Sequence, residues 1–180
     1  MERIRPIKYI PDWSKIPLNW IMQNMETFNV PYEDIRKSNP WVSDKEFREW
    51  LLENRGSASE PVSDTKILRL RPANTPFPEL NKIFQTFRPE RLNFTILAKG
   101  TGYPPHRDVH RTCNINFIAP GPRGRIMVED IEYNYDRFVL DPSVKHAVES
   151  CDHERFTMMA SWSLSSYTDV CEVLEKDGWL

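Results

Sequence analysis

The residues with the most chemistry to offer gather in the second half of the chain. His106-Arg107-Asp108 places an imidazole and a carboxylate two positions apart. In an extended segment that spacing turns both side chains to one face. Pro104-Pro105 immediately upstream stiffens the approach, and ligands held in place before binding lose little entropy. A third ligand should come from a strand near in space and distant in sequence. His146 opens the segment His146-Ala147-Val148-Glu149, just after the turn Asp141-Pro142-Ser143. Two imidazoles and one carboxylate on one face of an octahedron leave three positions open. Such a set suits a non-haem Fe(II) centre that binds a chelating co-substrate beside dioxygen.

Arg155 follows at the start of the next β-rich segment, with Thr157 two positions on and on the same face. A guanidinium assisted by a hydroxyl can pair with the distal carboxylate of a dicarboxylate. That arrangement selects 2-oxoglutarate.

These groups need a β scaffold, and the sequence supplies one. Short β-rich segments separated by Gly, Pro and Asp turns run over Leu92–Leu97, Thr112–Ile118, Arg125–Glu129, Tyr135–Leu140, His146–Ser150 and Arg155–Leu164, with an earlier one over Lys66–Arg71. Strands of this length and spacing predict a jelly roll or small β-sandwich. The preceding part reads as helical. Ile16, Trp20, Ile21 and Met25 recur at helical spacing, and Ser43 with Glu46 forms a capping-box pattern ahead of Phe47, Trp50, Leu51 and Leu52. The aromatics Trp20, Phe28, Phe47 and Trp50 read as core that packs these helices on a sheet. Pro78–Phe87 reads as a short helix and Ser166–Glu175 as a closing one, whereas Arg55–Ser63 has the composition of an exposed loop. The expected organisation is one domain over residues 1–180. Residues 1–90 give mainly helical support and a first strand, 91–165 the β core, and 166–180 a C-terminal helix.

The pattern His106-x-Asp108, His146, Arg155-x-Thr157 resembles the Fe(II)/2-oxoglutarate-dependent dioxygenase superfamily, with its HxD…H triad and Arg-x-Ser/Thr pair. The stretch from Phe138 to Glu149 is similar to the segment before the second iron histidine in the aspartyl/asparaginyl β-hydroxylase-like and prolyl-hydroxylase-like branches. The resemblance spans roughly Leu92 to Leu164. The aspartyl/asparaginyl branch carries Gly where this chain has Asp108, and Asp108 also argues against a halogenase, which needs that coordination position empty. The resemblance implies a double-stranded β-helix, cupin-like, with flanking helices. It implies Fe(II) held by His106, Asp108 and His146, and 2-oxoglutarate converted to succinate and CO2 with O2. The leading expectation for the reaction is hydroxylation of an amino-acid side chain, free or in a peptide. Inward-facing polar residues should complete the co-substrate contacts: Asn93 and Thr95 share one strand face and Asn114 and Asn116 another, with Asn114 the preferred choice.

Composition bounds the alternatives. The 180 residues carry 24 Lys plus Arg against 26 Asp plus Glu, a net charge of -2, which disfavours a strongly basic nucleic-acid binder. Aromatics at 12% with interspersed charge exclude wholesale disorder. Cys113, Cys151 and Cys171 offer no CxxC pair, so free thiols in a reducing compartment are expected. Met1 to Lys15 contains no apolar core of a signal peptide or anchor, and a cytoplasmic location without membrane association is the expectation. The partner expected is a small molecule or a peptide; the oligomeric state is not legible. Two other readings stand beside this one: a cupin-type metal dioxygenase without 2-oxoglutarate, against which Arg155 speaks, and a non-catalytic β-sandwich binding module. His110 and Arg111 read as solvated charges without a role, His153 as part of a hairpin turn, and Arg123-Gly124-Arg125 as a basic tip. Tyr103 either walls the substrate pocket or packs structurally.

Overall fold

Alternation of apolar and polar residues along the second half of the chain produces two antiparallel sheets in the computed structural model, which describes residues 2–28, 30–54, 65–72, 75, 77–121 and 124–180. The strands are β1 (Ile4–Pro6), β2 (Glu26–Phe28), β3 (Thr65–Leu70), β4 (Arg91–Leu97), β5 (Tyr103–His106), β6 (Cys113–Ile118), β7 (Ile126–Val128), β8 (Ile131–Tyr133), β9 (Arg137–Leu140), β10 (His146–Val148) and β11 (Arg155–Trp162). The larger sheet has the order β1-β9-β6-β11-β4-β3-β2 and the smaller one β5-β10-β7-β8. From β4 onward the chain alternates between the sheets, so β4, β6, β9 and β11 lie in one and β5, β7, β8 and β10 in the other. That winding is a double-stranded β-helix, and the fold is a mainly β jelly roll with flanking helices.

Pairing register decides which side chains face which layer. Met158 pairs with Phe94 on one side and Phe117 on the other, and Ala160 with Leu92 and Ile115. These apolar residues form one buried cluster with Leu80, Ile83, Phe84 and Phe87 of α4 (Pro78–Phe87) and Val170, Cys171 and Leu174 of α5 (Tyr167–Lys176). Here α4 starts on Pro78 and ends at left-handed Arg88, and α5 opens with a Ser166–Asp169 capping box. The opposite face of the large sheet looks at the small one, because Phe138 and Leu140 of β9 share a buried cluster with Ile126 and Val128 of β7. On that inner face the register aligns Thr157 with Thr95, and Ser161 with Asn114.

The first half of the chain departs from the helical expectation in two places. Helices α1 (Leu18–Gln23), α2 (Tyr32–Lys37) and α3 (Asp44–Asn54) form, and the Glu46 amide donates to Ser43 Oγ at 3.2 Å as the capping pattern requires. Yet β1 and β2 also form, closing the two edges of the large sheet. Each has three residues, too short for a period-2 pattern to register. Tyr32, Phe47, Trp50 and Leu51 pack α2 and α3 against Ala147 of the small sheet. The Arg55–Ser63 segment, Arg123 and the Phe28 side chain lie outside the described residues. No described helix is long and apolar enough to cross a membrane.

Gly102, just before β5, permits a close backbone approach at the edge of the small sheet. A Cβ on Gly102 would collide with the Val148 carbonyl oxygen and approach the Ser150 amide nitrogen to 2.8 Å, both backbone atoms that cannot swing aside. Gly102→Ala therefore pushes β5 off β10. The expected result is a loss of about 1–3 kcal/mol in a denaturant melt, together with weaker metal binding. Wild-type stability in this variant would rule the close approach out.

Candidate metal centre

Strand β5 is an edge strand, which is where consecutive prolines fit, since Pro104 and Pro105 have no N–H to give a second neighbour. Its register against β10 slips between two pairs, His146 opposite His106 and Val148 opposite Tyr103, so β5 carries an extra residue as a bulge. The outcome is that two histidines remote in sequence become direct cross-strand neighbours with ring centroids 4.2 Å apart. Asp108 follows just beyond the strand end. Its amide donates to the Pro142 carbonyl at 2.8 Å, which extends the pairing toward the turn before His146. The Arg107 amide between the two ligand positions donates to Asn39 Oδ1 at 2.9 Å, and Asn39 is itself tied to the end of α2 through the Ile35 carbonyl.

The result is one cluster in which a ligand atom from each of His106, Asp108 and His146 lies within 4.8 Å of the others. Both imidazoles have a fixed tautomer. His106 Nδ1 sits 2.7 Å from the Pro104 carbonyl oxygen and His146 Nδ1 2.9 Å from that of Val144. A carbonyl can only accept, so each Nδ1 carries the proton and each Nε2 presents a lone pair. Such second contacts orient metal-binding histidines and raise their basicity. His106 Nε2 lies 3.9 Å from Asp108 Oδ1. Burial acts to raise the Asp108 carboxyl, but the Arg111 guanidinium 2.8 Å away leads the opposing charges and the group stays below its ordinary value. Two neutral nitrogens and one carboxylate, with no proton left between them, are a donor set that fits a divalent iron.

Burial pushes the His146 imidazole down to about 4, with neighbouring His106 acting in the same direction, and burial lowers His106 as well. The folded values lie below the ordinary 6.5, so between about 4 and 6.5 the unfolded chain binds more protons than the folded one. Stability of the metal-free protein is therefore complete above this window and is lost as pH falls through it. For His146 alone the loss is about 3 kcal/mol. Urea midpoints measured from neutral pH downward should fall steadily; a flat profile would contradict neutral buried imidazoles.

The residues expected to contact the co-substrate fall on the inner face of the large sheet. Arg155 is 5% exposed, its Nη2 donates to the Glu149 carbonyl at 3.2 Å, and its Nε is buried without a partner. A Cβ on Gly124 would overlap that guanidinium, so the glycine makes its space. Thr157 stands two residues on and is paired with Thr95. Asn93 Nδ2 donates to Ser161 Oγ at 2.8 Å, whereas Asn114 Oδ1 and Asn116 Nδ2 are buried with no partner. Three buried polar atoms without partners on one face of one sheet are what a polar ligand would satisfy, and a guanidinium among them fits a carboxylate.

Three features escaped the sequence reading. Arg111, read as a solvated charge, contacts Asp108 and directs Nη1 at Met159 Sδ 3.3 Å away. Asn39 supports the ligand loop, and Gly124 accommodates Arg155. Asn39 lies in a polar stretch far from the site in sequence, and nothing local marks it. Tyr103 packs beside His106 with centroids 5.8 Å apart, and burial pushes its hydroxyl up to about 12, so it stays protonated. His110 is exposed, and His153 sits in the bend before β11 beside Asp152. All three cysteines are free.

Fold and cluster together define a jelly-roll protein with a two-histidine, one-carboxylate candidate metal centre. No family model matches the sequence, and comparison with curated proteins gives no match. Among solved structures the chain is similar to a prolyl-4-hydroxylase of Pseudomonas putida, at 14% identity and a TM-score of 0.46 over 83% of this chain and 100% of that one. It is similar to an oxidoreductase of the 2OG-Fe(II) oxygenase family from Burkholderia pseudomallei, at 14% identity and 0.43 over 75% and 92%. A cupin 2 conserved barrel domain protein from Salinispora arenicola aligns at 17% identity and 0.40 over 63% and 85%. What the site can do is decided by its own side chains.

Proposed function

We propose that this protein is an Fe(II)- and 2-oxoglutarate-dependent dioxygenase that hydroxylates an amino-acid side chain, free or within a peptide. The observation that carries the reading is the convergence of His106, Asp108 and His146 with both Nδ1 protons already given to carbonyl oxygens. These three residues would hold the iron. Arg155, helped by the Thr157 hydroxyl, would take the distal carboxylate of 2-oxoglutarate, with Asn114 and Asn116 as further contacts and Asn93 and Thr95 beside them. When bound, iron with 2-oxoglutarate and O2 supplies the oxidation that turns C–H into C–OH, with succinate and CO2 released. The chain's own part is to fix ligand tautomers, exclude protons from the donor set and orient the co-substrate from the inner sheet face.

The test uses protein purified without a histidine tag. Anaerobic addition of Fe(II) and 2-oxoglutarate should produce a visible charge-transfer band, and admission of O2 should yield succinate. Iron-loaded protein that gives neither sinks the assignment.

A further inference from the structure

One row of side chains crosses the inner face of the large sheet beside the metal centre. Arg69 of β3 pairs with Asn93 of β4, and Asn93 pairs with Met159 of β11, so all three point to the inner face. Arg69 is exposed, and among the described residues it has no ion-pair partner. Arg111 stands over the far end of the row. Its Nη2 meets Asp108, but Nη1 is aimed at the Met159 sulfur, a weak acceptor that leaves a charged donor under-used. Adjacent strands lie about 4.8 Å apart, so roughly 10 Å of backbone separates Arg69 from Met159, a span that two arginine side chains can close on a small anion. Tyr103 packs beside His106, and both Arg111 and Arg69 act to lower its hydroxyl against the larger, opposite effect of burial. Asn93, between them, is already turned toward Ser161, to which its Nδ2 donates at 2.8 Å.

We infer that the substrate carries a carboxylate and that Arg69 and Arg111 hold it above Asn93 and Met159, beside the metal centre. This rests on the dioxygenase reading, with Arg155 reserved for the co-substrate. A guanidinium pair recognises a carboxylate through directed, charge-assisted hydrogen bonds, and an amide at the same position leaves the cations uncompensated. A carboxylate can belong to a free amino acid or to a peptide terminus or side chain.

Calorimetric titration of the zinc-loaded, 2-oxoglutarate-saturated protein tests this without turnover. The probes are free L-amino acids, their α-amides, and N-acetylated tripeptides prepared as acids and as amides. Acids should bind at least about tenfold more tightly than the matching amides. A preference confined to free amino acids names a small-molecule substrate, and one confined to the tripeptides names a peptide. Arg69→Gln should abolish the difference, Arg69→Lys should keep part of it, and Lys66→Gln, on the opposite face of β3, should keep all of it. Equal binding of acids and amides, an Arg69→Gln variant that still prefers acids, or no binding by any probe overturns the inference. So does an Arg69→Gln variant needing tenfold more 2-oxoglutarate to form the anaerobic Fe(II) band, which would give Arg69 to the co-substrate. If the wild-type band itself fails to form, the dioxygenase reading is what has failed.

Discussion

Asp108→Ala should lower Fe(II) affinity by more than about 100-fold while leaving the circular dichroism spectrum unchanged. Even an outer partner of a metal ligand is worth roughly 10–100-fold in affinity, so loss of a direct ligand exceeds that. Asp108 is also the negative charge of a cluster whose other two members are neutral imidazoles. Its removal leaves the Arg111 guanidinium, now 2.8 Å from the carboxylate, without a counter-charge beside a site meant for a cation. Asp108→Asn keeps the shape and loses the charge, and should fail almost as completely. Metal content after gel filtration, set beside the denaturant midpoint, separates a lost ligand from a lost fold. Stoichiometric iron retained by the alanine variant would remove Asp108 from the ligand set.

Arg155→Ala should raise the concentration of 2-oxoglutarate that half-saturates the anaerobic Fe(II) band by on the order of 100-fold or more. Truncating one side of a buried, hydrogen-bonded charge pair costs about 2–5 kcal/mol, and Arg155 is only 5% exposed. Lysine should not rescue it, because a point charge cannot reproduce the guanidinium fork whose Nη2 is anchored on the Glu149 carbonyl and whose Nε is unpartnered. Gly124→Ala gives an independent measurement. It removes no charge, yet its new methyl overlaps Arg155 Nη2 and must displace the guanidinium. Weaker 2-oxoglutarate binding in both variants, with iron binding preserved, is the expected pattern. Wild-type half-saturation in both would place the co-substrate elsewhere.

Local pattern carried a large part of this fold. Strands β4, β6 and β11 were legible because apolar residues on a helix-covered face alternate with mainly polar ones on the inner face. That makes Met158 and Ala160 apolar where Thr157 and Ser161 are polar. Strand β5 was harder to see, because Tyr103-Pro104-Pro105-His106 has no alternation and two residues that cannot donate; only an edge position beside β10 tolerates it. Strand β8 has three residues, none of them fully buried, with only Ile131 and Tyr133 to mark its apolar face. Helices α4 and α5 announced themselves through Pro78 and the Ser166 cap, which are local signals.

Order along the chain supplied the ingredients: an imidazole and a carboxylate two residues apart, a second imidazole opening a strand, an arginine opening the next, and a β-rich segment to carry them. Those are statements about neighbours along the chain, and backbone geometry is enough to read them. Folding added the rest: a bulge sets His106 directly across from His146, Asn39 ties the loop of Arg107 to a helix end, and Arg111 turns inward to Asp108 and Met159. Each of these depends on contacts between segments far apart in sequence. Register and side-chain direction across such a gap are fixed by the packing of two sheets, for which no local pattern is a substitute.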